Sequence, residues 1–202
     1  MLSLTWDCGL QERKFQKGWP QGPSRRWPSG TNGADKAHVR IAKPKSSEMI
    51  TIARAKLLDA QAILELQNCA YQSEAKLYND WSLPPLTQSL ESMQNEFTHS
   101  IVLKAVAGEQ IVGSVRAKAE SGTCVIGRLC VHPDFQGQGI GSTLLASIES
   151  SFPEVDKYEL FTGSKSVANI RLYQRHGYSI TCTQPVSPTV SVTYLEKPAT
   201  RV

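Results

Sequence analysis

The sequence has no long apolar run and no clustered cysteines. None of its hydrophobic stretches approaches the roughly 20 residues that a membrane-spanning helix needs, so no membrane segment is expected. The N-terminus lacks the apolar core of a secretory signal, which makes the cytoplasm the expected location. Its five cysteines form no Cys-x-x-Cys pair and have no histidine at ligand spacing, which argues against a zinc site and favours free thiols.

Most of the chain also lacks an excess of positive charge. Residues 1–48 carry nine Lys or Arg against four Asp or Glu, whereas the remainder carries 13 bases against 14 acids. The basic character therefore belongs to the first 48 residues. The body after residue 48 is not expected to bind nucleic acid.

Residues 1–48 have no sustained helical or strand period, because Gly, Pro and Ser interrupt every pattern. We interpret them as a disordered, basic N-terminal extension, and residues 49–202 as one domain. Three explanations of the extension stay open: a transit-like leader, a regulatory tail, or a translation start placed upstream of the native one. The third is attractive because the first clean strand pattern, "MITIARA", opens on Met49.

From Met49 onward, alternating and helical patterns predict the order β-α-α-β-β-β-α-β-α-β-β. Asp59 is expected near the start of the first helix, and Thr87, after the breaker Pro84-Pro85, is expected to cap the second. Adjacent hairpins imply antiparallel pairing, while the later β-α-β crossover needs a parallel pair. The sequence thus predicts an α/β domain with a mixed, mostly antiparallel sheet of about seven strands, flanked by about four helices.

The stretch "FQGQGIGSTLL" places three glycines where a predicted strand passes into a predicted helix. The first turn of a helix leaves about four amides without partners and favours an anion, and glycines let those amides approach phosphate oxygens. No lysine follows Gly141, which excludes a P-loop, and the Gly-x-Gly-x-Gly spacing differs from the Rossmann fingerprint. The pattern predicts a site for a phosphate-bearing cofactor; a turn with no ligand is the alternative.

About thirty residues later comes "ANIRLYQRHGYSI", in which Asn169 and Tyr173 share one face of a predicted helix that ends at Gly177. Together, the Gln-x-x-Gly-x-Gly turn and the Asn-x-x-x-Tyr…Gly-Tyr segment resemble the GNAT superfamily of acyl-CoA-dependent N-acetyltransferases. The resemblance covers residues 49–197 in the order of motifs and elements. It implies the acyl-CoA N-acyltransferase-like fold and acetyl-CoA as co-substrate, with no metal.

The resemblance also implies a set of cofactor contacts. In that family the glycine turn holds the pyrophosphate, the strand before it pairs with the pantetheine arm, and an asparagine on the later helix bonds that arm. The matching groups here are the main chain of Leu129, Cys130 and Val131, the amides of Gln136, Gly137, Gln138, Gly139, Ile140, Gly141 and Ser142, and the side chain of Asn169.

Tyr173 matches the family's general acid, which protonates the leaving thiolate; a core tyrosine is the alternative. An amine of pKa about 10.4 is almost fully protonated at neutral pH, so a base is also needed. Several relatives keep an acidic base on the central strand, but Gly127-Arg128 stands there instead. Glu74 is a candidate base, and Tyr71 and Tyr78, on the same helical face, are candidate substrate-binding residues. The alternative is a solvated Glu74 with both tyrosines packed in the core.

Two other reactive side chains have simpler interpretations. His132 precedes the glycines in a His-Pro turn, where relatives use it structurally. Cys130 would need an activating neighbour to act as a nucleophile, and direct transfer from CoA needs no acyl-enzyme. Packing roles are therefore favoured for both.

The sequence thus predicts an enzyme that transfers acetyl from acetyl-CoA to a primary amine by direct attack in a ternary complex. The alternative is an acyl-CoA-binding sensor or interaction module with weak or no catalysis. The acceptor is expected to be a small-molecule or peptide amine, and the protein a monomer or homodimer. The basic extension leaves open a tether to nucleic acid or membrane, although neither partner is expected for the domain.

Overall fold

The computed structural model describes residues 49–200. The expectation of an extension at residues 1–48 lies outside the described residues and stays a prediction. The described chain forms one sheet of seven strands in the order β1-β2-β3-β4-β5-β7-β6. The strands are β1 (Ile50–Arg54), β2 (Ile101–Ala107), β3 (Gln110–Glu120), β4 (Thr123–Val131), β5 (Lys157–Gly163), β6 (Ser179–Pro185) and β7 (Ser191–Pro198).

Strand direction follows the connections between strands. The tight turns after β2 and β3, and the short loop between β6 and β7, produce antiparallel pairs. β4 and β5 are parallel, because a helix carries the chain back between them. The predicted mixed, mostly antiparallel sheet is confirmed.

Residues 49–200 contain six α-helices, two more than the approximate number predicted. They are α1 (Ala60–Ala70), α2 (Gln72–Tyr78), α3 (Pro84–Thr87), α4 (Leu90–His99), α5 (Ile140–Ser150) and α6 (Val167–Arg175). The excess arises because a separate short helix, α2, follows α1 after Tyr71, and the proline pair starts a single turn of its own. Over the same described residues, no helix combines the length and apolarity needed to cross a bilayer.

The predicted cap at Thr87 is wrong. A proline at the first helical position is compatible with a helix start, so Pro84 begins α3, and Thr87 becomes its last residue. The cap of α4 is Ser89, whose hydroxyl accepts a hydrogen bond from the Ser92 amide at 3.1 Å. Only two residues separate the two helices. Treating the proline pair simply as a helix breaker therefore placed the start of α4 too early.

Helices cover both faces of the sheet. On one face Val102 of β2 belongs to a buried cluster with Ile63 of α1 and Met93 of α4. On the other face α5 lies so close to β3 that a Cβ on Gly113 would stand 2.9 Å from the Leu144 side chain. Burying a leucine such as Leu144 contributes about 1.5–3 kcal/mol to folding. Packing on α5 holds its N-terminus against the end of β4, where the candidate site lies.

Candidate active site

The glycine turn, residues 136–142, lies between the end of β4 and the first turn of α5. Gly137 and Gly139 have φ angles of 76° and 82°, in the left-handed region that favours glycine. A Cβ at either position would meet no atom within 4 Å. The backbone angles, rather than crowding, therefore demand glycine, and the turn leaves open space beside its main chain.

The helix that follows the turn begins with unpaired amides. Its first i to i−4 bond is donated by Thr143 to the Gly139 carbonyl at 3.0 Å, so the amides of Ile140, Gly141 and Ser142 precede the hydrogen-bonded ladder. These amides carry the positive end of the dipole of α5. The arrangement is suited to an anion such as a phosphate.

Two side chains hold the turn in place. The Gln136 amide group donates to the Val131 carbonyl at 3.1 Å, which ties the turn to the last residue of β4. His132 is buried, its Nδ1 accepts a hydrogen bond from the Asp134 amide at 3.2 Å, and its ring meets Phe135 edge-on. His132 thus has the structural contacts that the sequence interpretation favoured.

β4 is bulged before it reaches the turn. Arg116 of β3 faces Gly127 and Ser114 faces Cys130, so Arg128 and Leu129 lie opposite a single residue of β3. Arg128 adopts a φ of 54°, which is uncommon for a residue other than glycine. The bulge turns this part of β4 away from the regular ladder.

β4 and β5 separate at the same level. Their parallel register begins at the Thr123–Lys157 pair and ends at the Ile126–Leu160 pair, although β4 continues to Val131 and β5 to Gly163. Along the described chain, the β5-facing edge of β4 therefore has no partner strand from Gly127 onward. Leu129, Cys130 and Val131 lie in this stretch, where the Val131 carbonyl already accepts a hydrogen bond from Gln136. Main-chain groups at a strand edge without a partner strand are suited to an extended, amide-bearing ligand.

α6 places Asn169 and Tyr173 beside this gap. The Asn169 amide group approaches the hydroxyl of Thr162 at 3.4 Å. Thr162 lies in the part of β5 that still pairs with β7 but no longer with β4. Tyr173 is 6% exposed, and its ring packs edge-on against Tyr178 with centroids 6.1 Å apart. Packing holds the phenol in one orientation.

Burial raises the pKa of Tyr173, and the nearby Tyr71, Glu74 and Cys130 raise it further. The phenol is therefore protonated throughout the physiological range. A group that must supply a proton or a hydrogen bond at neutral pH benefits from this protonation state.

The structure brings Glu74 and Tyr71 into the same neighbourhood. Glu74 accepts a hydrogen bond from the hydroxyl of Ser166, which lies in the turn before α6. Burial raises the pKa of Tyr71, and its hydroxyl is hydrogen-bonded to the side chain of Arg128 in the bulge. Tyr71 at the joint between α1 and α2, Glu74 of α2 and Tyr173 of α6 thus lie near one another, while their roles stay predictions.

Tyr78 has a different environment. Its hydroxyl accepts a hydrogen bond from the Lys165 amide at 2.7 Å, and its ring packs so closely on Gly163 that a Cβ there would clash with the hydroxyl at 2.6 Å. Tyr78 therefore anchors α2 to the turn after β5. Substrate binding by Tyr78 stays a prediction. Its hydroxyl already accepts a hydrogen bond from the main chain of Lys165.

Sequence reasoning missed two members of the site, Ser166 and Arg116. Ser166 precedes α6 in "SKSVANI", a position typical of a helix cap, but its hydroxyl is directed to Glu74 instead. Strand alternation in "VGSVRAKA" could have placed Arg116 on the same face as Ser114. The alternation alone does not predict which helix or loop packs against that face of the strand.

The cysteine thiols of the site are not activated. Burial raises the pKa of Cys130 to about 12, despite the lowering effect of the Ser114 main chain and of Arg128. Cys69, Cys124 and Cys130 are free, as predicted. Cys182 is disulfide-bonded, so the prediction of a free thiol is wrong there: the absence of a Cys-x-x-Cys pair does not exclude a partner distant in sequence. In the described range, no three His, Cys, Asp or Glu side chains are grouped closely enough to hold a metal ion.

The family model described as "Acetyltransferase (GNAT) domain" matches residues 98–180, which run from the end of α4 to the start of β6. The match includes the glycine turn, the bulged strand, Asn169 and Tyr173. No curated protein matches the chain in sequence. The predicted resemblance to the GNAT superfamily is confirmed by the family match and by the solved structures described next.

Several solved structures share the fold at low sequence identity. An N-acetyltransferase from Thermoplasma acidophilum, PaiA in complex with coenzyme A, is 17% identical with a TM-score of 0.62, over 74% of this chain and 99% of that one. The ribosomal-protein-S18-alanine N-acetyltransferase from Escherichia coli is 15% identical with a TM-score of 0.63, over 76% and 96%. YncA from Salmonella typhimurium, a putative acetyltransferase solved with acetyl-CoA, is 18% identical with a TM-score of 0.60, over 76% and 96%.

Proposed function

Since residues 98–180 match the GNAT acetyltransferase domain and residues 49–200 have the fold of that family, we propose that the protein transfers acetyl from acetyl-CoA to a primary amine. Two of the similar structures hold coenzyme A or acetyl-CoA, which supports acyl-CoA as the donor. One observation carries the proposal. The unpaired amides at the start of α5 adjoin an open strand edge that leads to Tyr173.

The cofactor would be held mainly by main chain. The amides of the glycine turn would bind the pyrophosphate, and the free edge of β4 at Leu129, Cys130 and Val131 would pair with the pantetheine arm. Asn169, beside Thr162, would bond the same arm. This arrangement would bring the thioester close to the bulge and to Tyr173.

The reaction would be a direct attack in a ternary complex. The amine nitrogen would attack the thioester carbonyl carbon, a C–N bond would form, and the C–S bond would break. The CoA thiolate would take a proton from the Tyr173 hydroxyl, and the proton lost by the amine would pass towards Glu74. Because the pKa of Tyr173 is raised above that of a thiol, proton donation needs close contact with the sulfur and simultaneous loss of the amine proton.

A sensor with weak or no catalysis is the second candidate function. It is favoured by the bulge itself, where β4 carries Gly127 and Arg128 and no carboxylate. An arginine cannot serve as a base, since it stays protonated at all working pH values. The only carboxylate that we propose as base is Glu74 on α2.

A single assay separates the two functions. The full chain is mixed with acetyl-CoA and a panel of primary amines, and free CoA thiol is followed against a blank without amine. An enzyme releases CoA in proportion to the acetylated amine, whereas a sensor binds acetyl-CoA and releases none. Absence of acetyl-CoA binding would contradict both functions. The cytoplasmic location and the monomer or homodimer state also stay predictions.

A further inference from the structure

Arg116 of β3 carries an unusual unsatisfied group. One terminal nitrogen, Nη2, pairs with Glu96 of α4 at 3.2 Å, and the side chain is only 15% exposed. The other, Nη1, is buried and has no hydrogen-bond partner among the described residues. Buried donors of a charged group are costly to leave unsatisfied, so a native partner that the protein chain does not supply is expected.

A second guanidinium lies next to the first. Arg116 faces Gly127 across the β3–β4 ladder, and Arg128 is the next residue, in the left-handed conformation of the bulge. Burial lowers the pKa of Arg116 to about 10, the charge of Arg128 adds to this shift, and Glu96 opposes it. We call Arg116 and Arg128 the arginine pair.

The arginine pair lies at the reacting end of the proposed cofactor site. Arg128 is hydrogen-bonded to Tyr71, which is close enough to Tyr173 to influence its pKa. Glu74 lies in the same neighbourhood, but its carboxylate already accepts the Ser166 hydroxyl. After residue 48 the chain carries 13 bases and 14 acids. The positive charge of the arginine pair is therefore a local feature and does not reflect a positive net charge of the domain.

Resting on the proposed function, we infer that the acceptor is a small amine that also bears a carboxylate, such as an amino acid, and that the arginine pair binds this carboxylate. Guanidinium groups present forked donors that match a carboxylate, and the buried Nη1 of Arg116 would gain its missing partner. Holding the carboxylate would fix the position of the amine relative to the thioester. The preference for a carboxylate-bearing acceptor would thus depend on two side chains that have no part in the proposed binding of the cofactor.

The test compares amino acids with their neutral amides, for example leucine with leucinamide, on the full chain with acetyl-CoA. The amide has the less basic amine and therefore more free base at pH 7.5, so basicity alone favours the amide. We expect kcat/KM to favour the acid by about tenfold or more, as charge-assisted hydrogen bonds allow. Equal use of both, or preference for the amide, would overturn the inference.

Arg116→Gln and Arg128→Asn should each move the acid-to-amide ratio towards one, mainly by raising KM for the acid. Asparagine tolerates the positive φ at position 128. The ratio is measured within each variant, so a loss of folded protein lowers both terms alike. Arg54→Gln, which removes an exposed arginine on β1, is the matched control and should keep the ratio of the unmodified chain. An unchanged ratio in both site variants would also overturn the inference.

If no amine is turned over, the proposed function fails and binding decides the inference separately. Calorimetry with CoA present compares N-acetylleucine with N-acetylleucinamide. Tighter binding of the acid that is lost in Arg116→Gln supports the carboxylate site. Equal binding of the two overturns it.

Discussion

In the glycine turn the exposed surface is main chain, whereas around the arginine pair it is built from side chains that come from different elements. Gly137 and Gly139 expose bare amides on one continuous segment. Arg116, Arg128 and Tyr71 come from β3, β4 and the joint between α1 and α2. The two regions meet near Tyr173.

The difference matches what each region would have to recognise. Amides at a helix start can bind any phosphate, and they suit a cofactor that never varies. Charged side chains held at a bulge can distinguish one acceptor from another, because a buried polar group without its partner is costly. We therefore expect changes in the turn to alter cofactor affinity, and changes among the side chains to alter rate and acceptor choice.

The largest expected effect lies where the two regions meet. Tyr173→Phe should lower kcat by about a hundredfold, because it removes the group that protonates the thiolate, while acetyl-CoA affinity changes by less than about twofold. Steady-state CoA release and calorimetry measure the two quantities. A rate within threefold of the unmodified chain would contradict the assignment of Tyr173.

Tyr158→Phe is the matched control for this change. The Tyr158 hydroxyl donates to the main-chain carbonyls of Glu149 and Phe152, both at 3.2 Å. Removing it should lower the free energy of unfolding by about 1 kcal/mol and leave kcat unchanged.

The next effect tests the main-chain region by itself. Gly139→Ala should weaken acetyl-CoA binding by about tenfold, because the added Cβ projects into the open space beside the turn and displaces a charge-assisted hydrogen bond. The residue also adopts a left-handed conformation, which costs about 1 kcal/mol with a side chain. Calorimetry and thermal unfolding measure these two effects.

Gly177→Ala separates strain from binding. Gly177 has a φ of 87° after the end of α6, so the variant carries a similar backbone cost outside the glycine turn. It should lose similar stability and keep its affinity for acetyl-CoA. A comparable loss of affinity in both variants would mean that the turn does not bind the cofactor.

The pH profile examines the side-chain region. A general acid loses activity as the pH rises through its pKa, and the pKa of Tyr173 is raised by burial and by its neighbours. The falling limb of the profile should therefore lie above about pH 10. Below that limb, kcat/KM should increase with increasing pH, because the amine loses its proton. A decline beginning near pH 8 would assign the acid to another group.

The smallest effect is expected at Cys130. Burial holds its pKa at about 12, so almost no thiolate exists at neutral pH. Cys130→Ala should change kcat by less than about threefold, since direct transfer needs no acyl-enzyme. Double-reciprocal plots that are parallel, or a rate lowered more than tenfold, would indicate a covalent intermediate on the cysteine.

Prediction from the sequence succeeded where a single segment carries the signal. The alternation of apolar and polar residues predicted β2 and β3, and the helical spacing of apolar residues predicted α6. Each of these patterns lies within one continuous segment. It failed where segments compete, as at Thr87, which ends α3 while Ser89 caps α4. It also missed the hydrogen bond between Ser166 and Glu74, whose residues are 92 positions apart.

By itself, the sequence determined the succession of the strands along the chain and the position of the glycine turn. The turn is readable because the backbone conformation at Gly137 and Gly139 depends on the absence of a side chain at those positions. Only the tertiary structure decided where β4 leaves β5, that Arg128 takes a left-handed conformation, and that Arg116 is buried with an unsatisfied nitrogen. These features depend on strands and helices packing from distant parts of the chain. Burial and charge at a site arise from that packing and from no single segment.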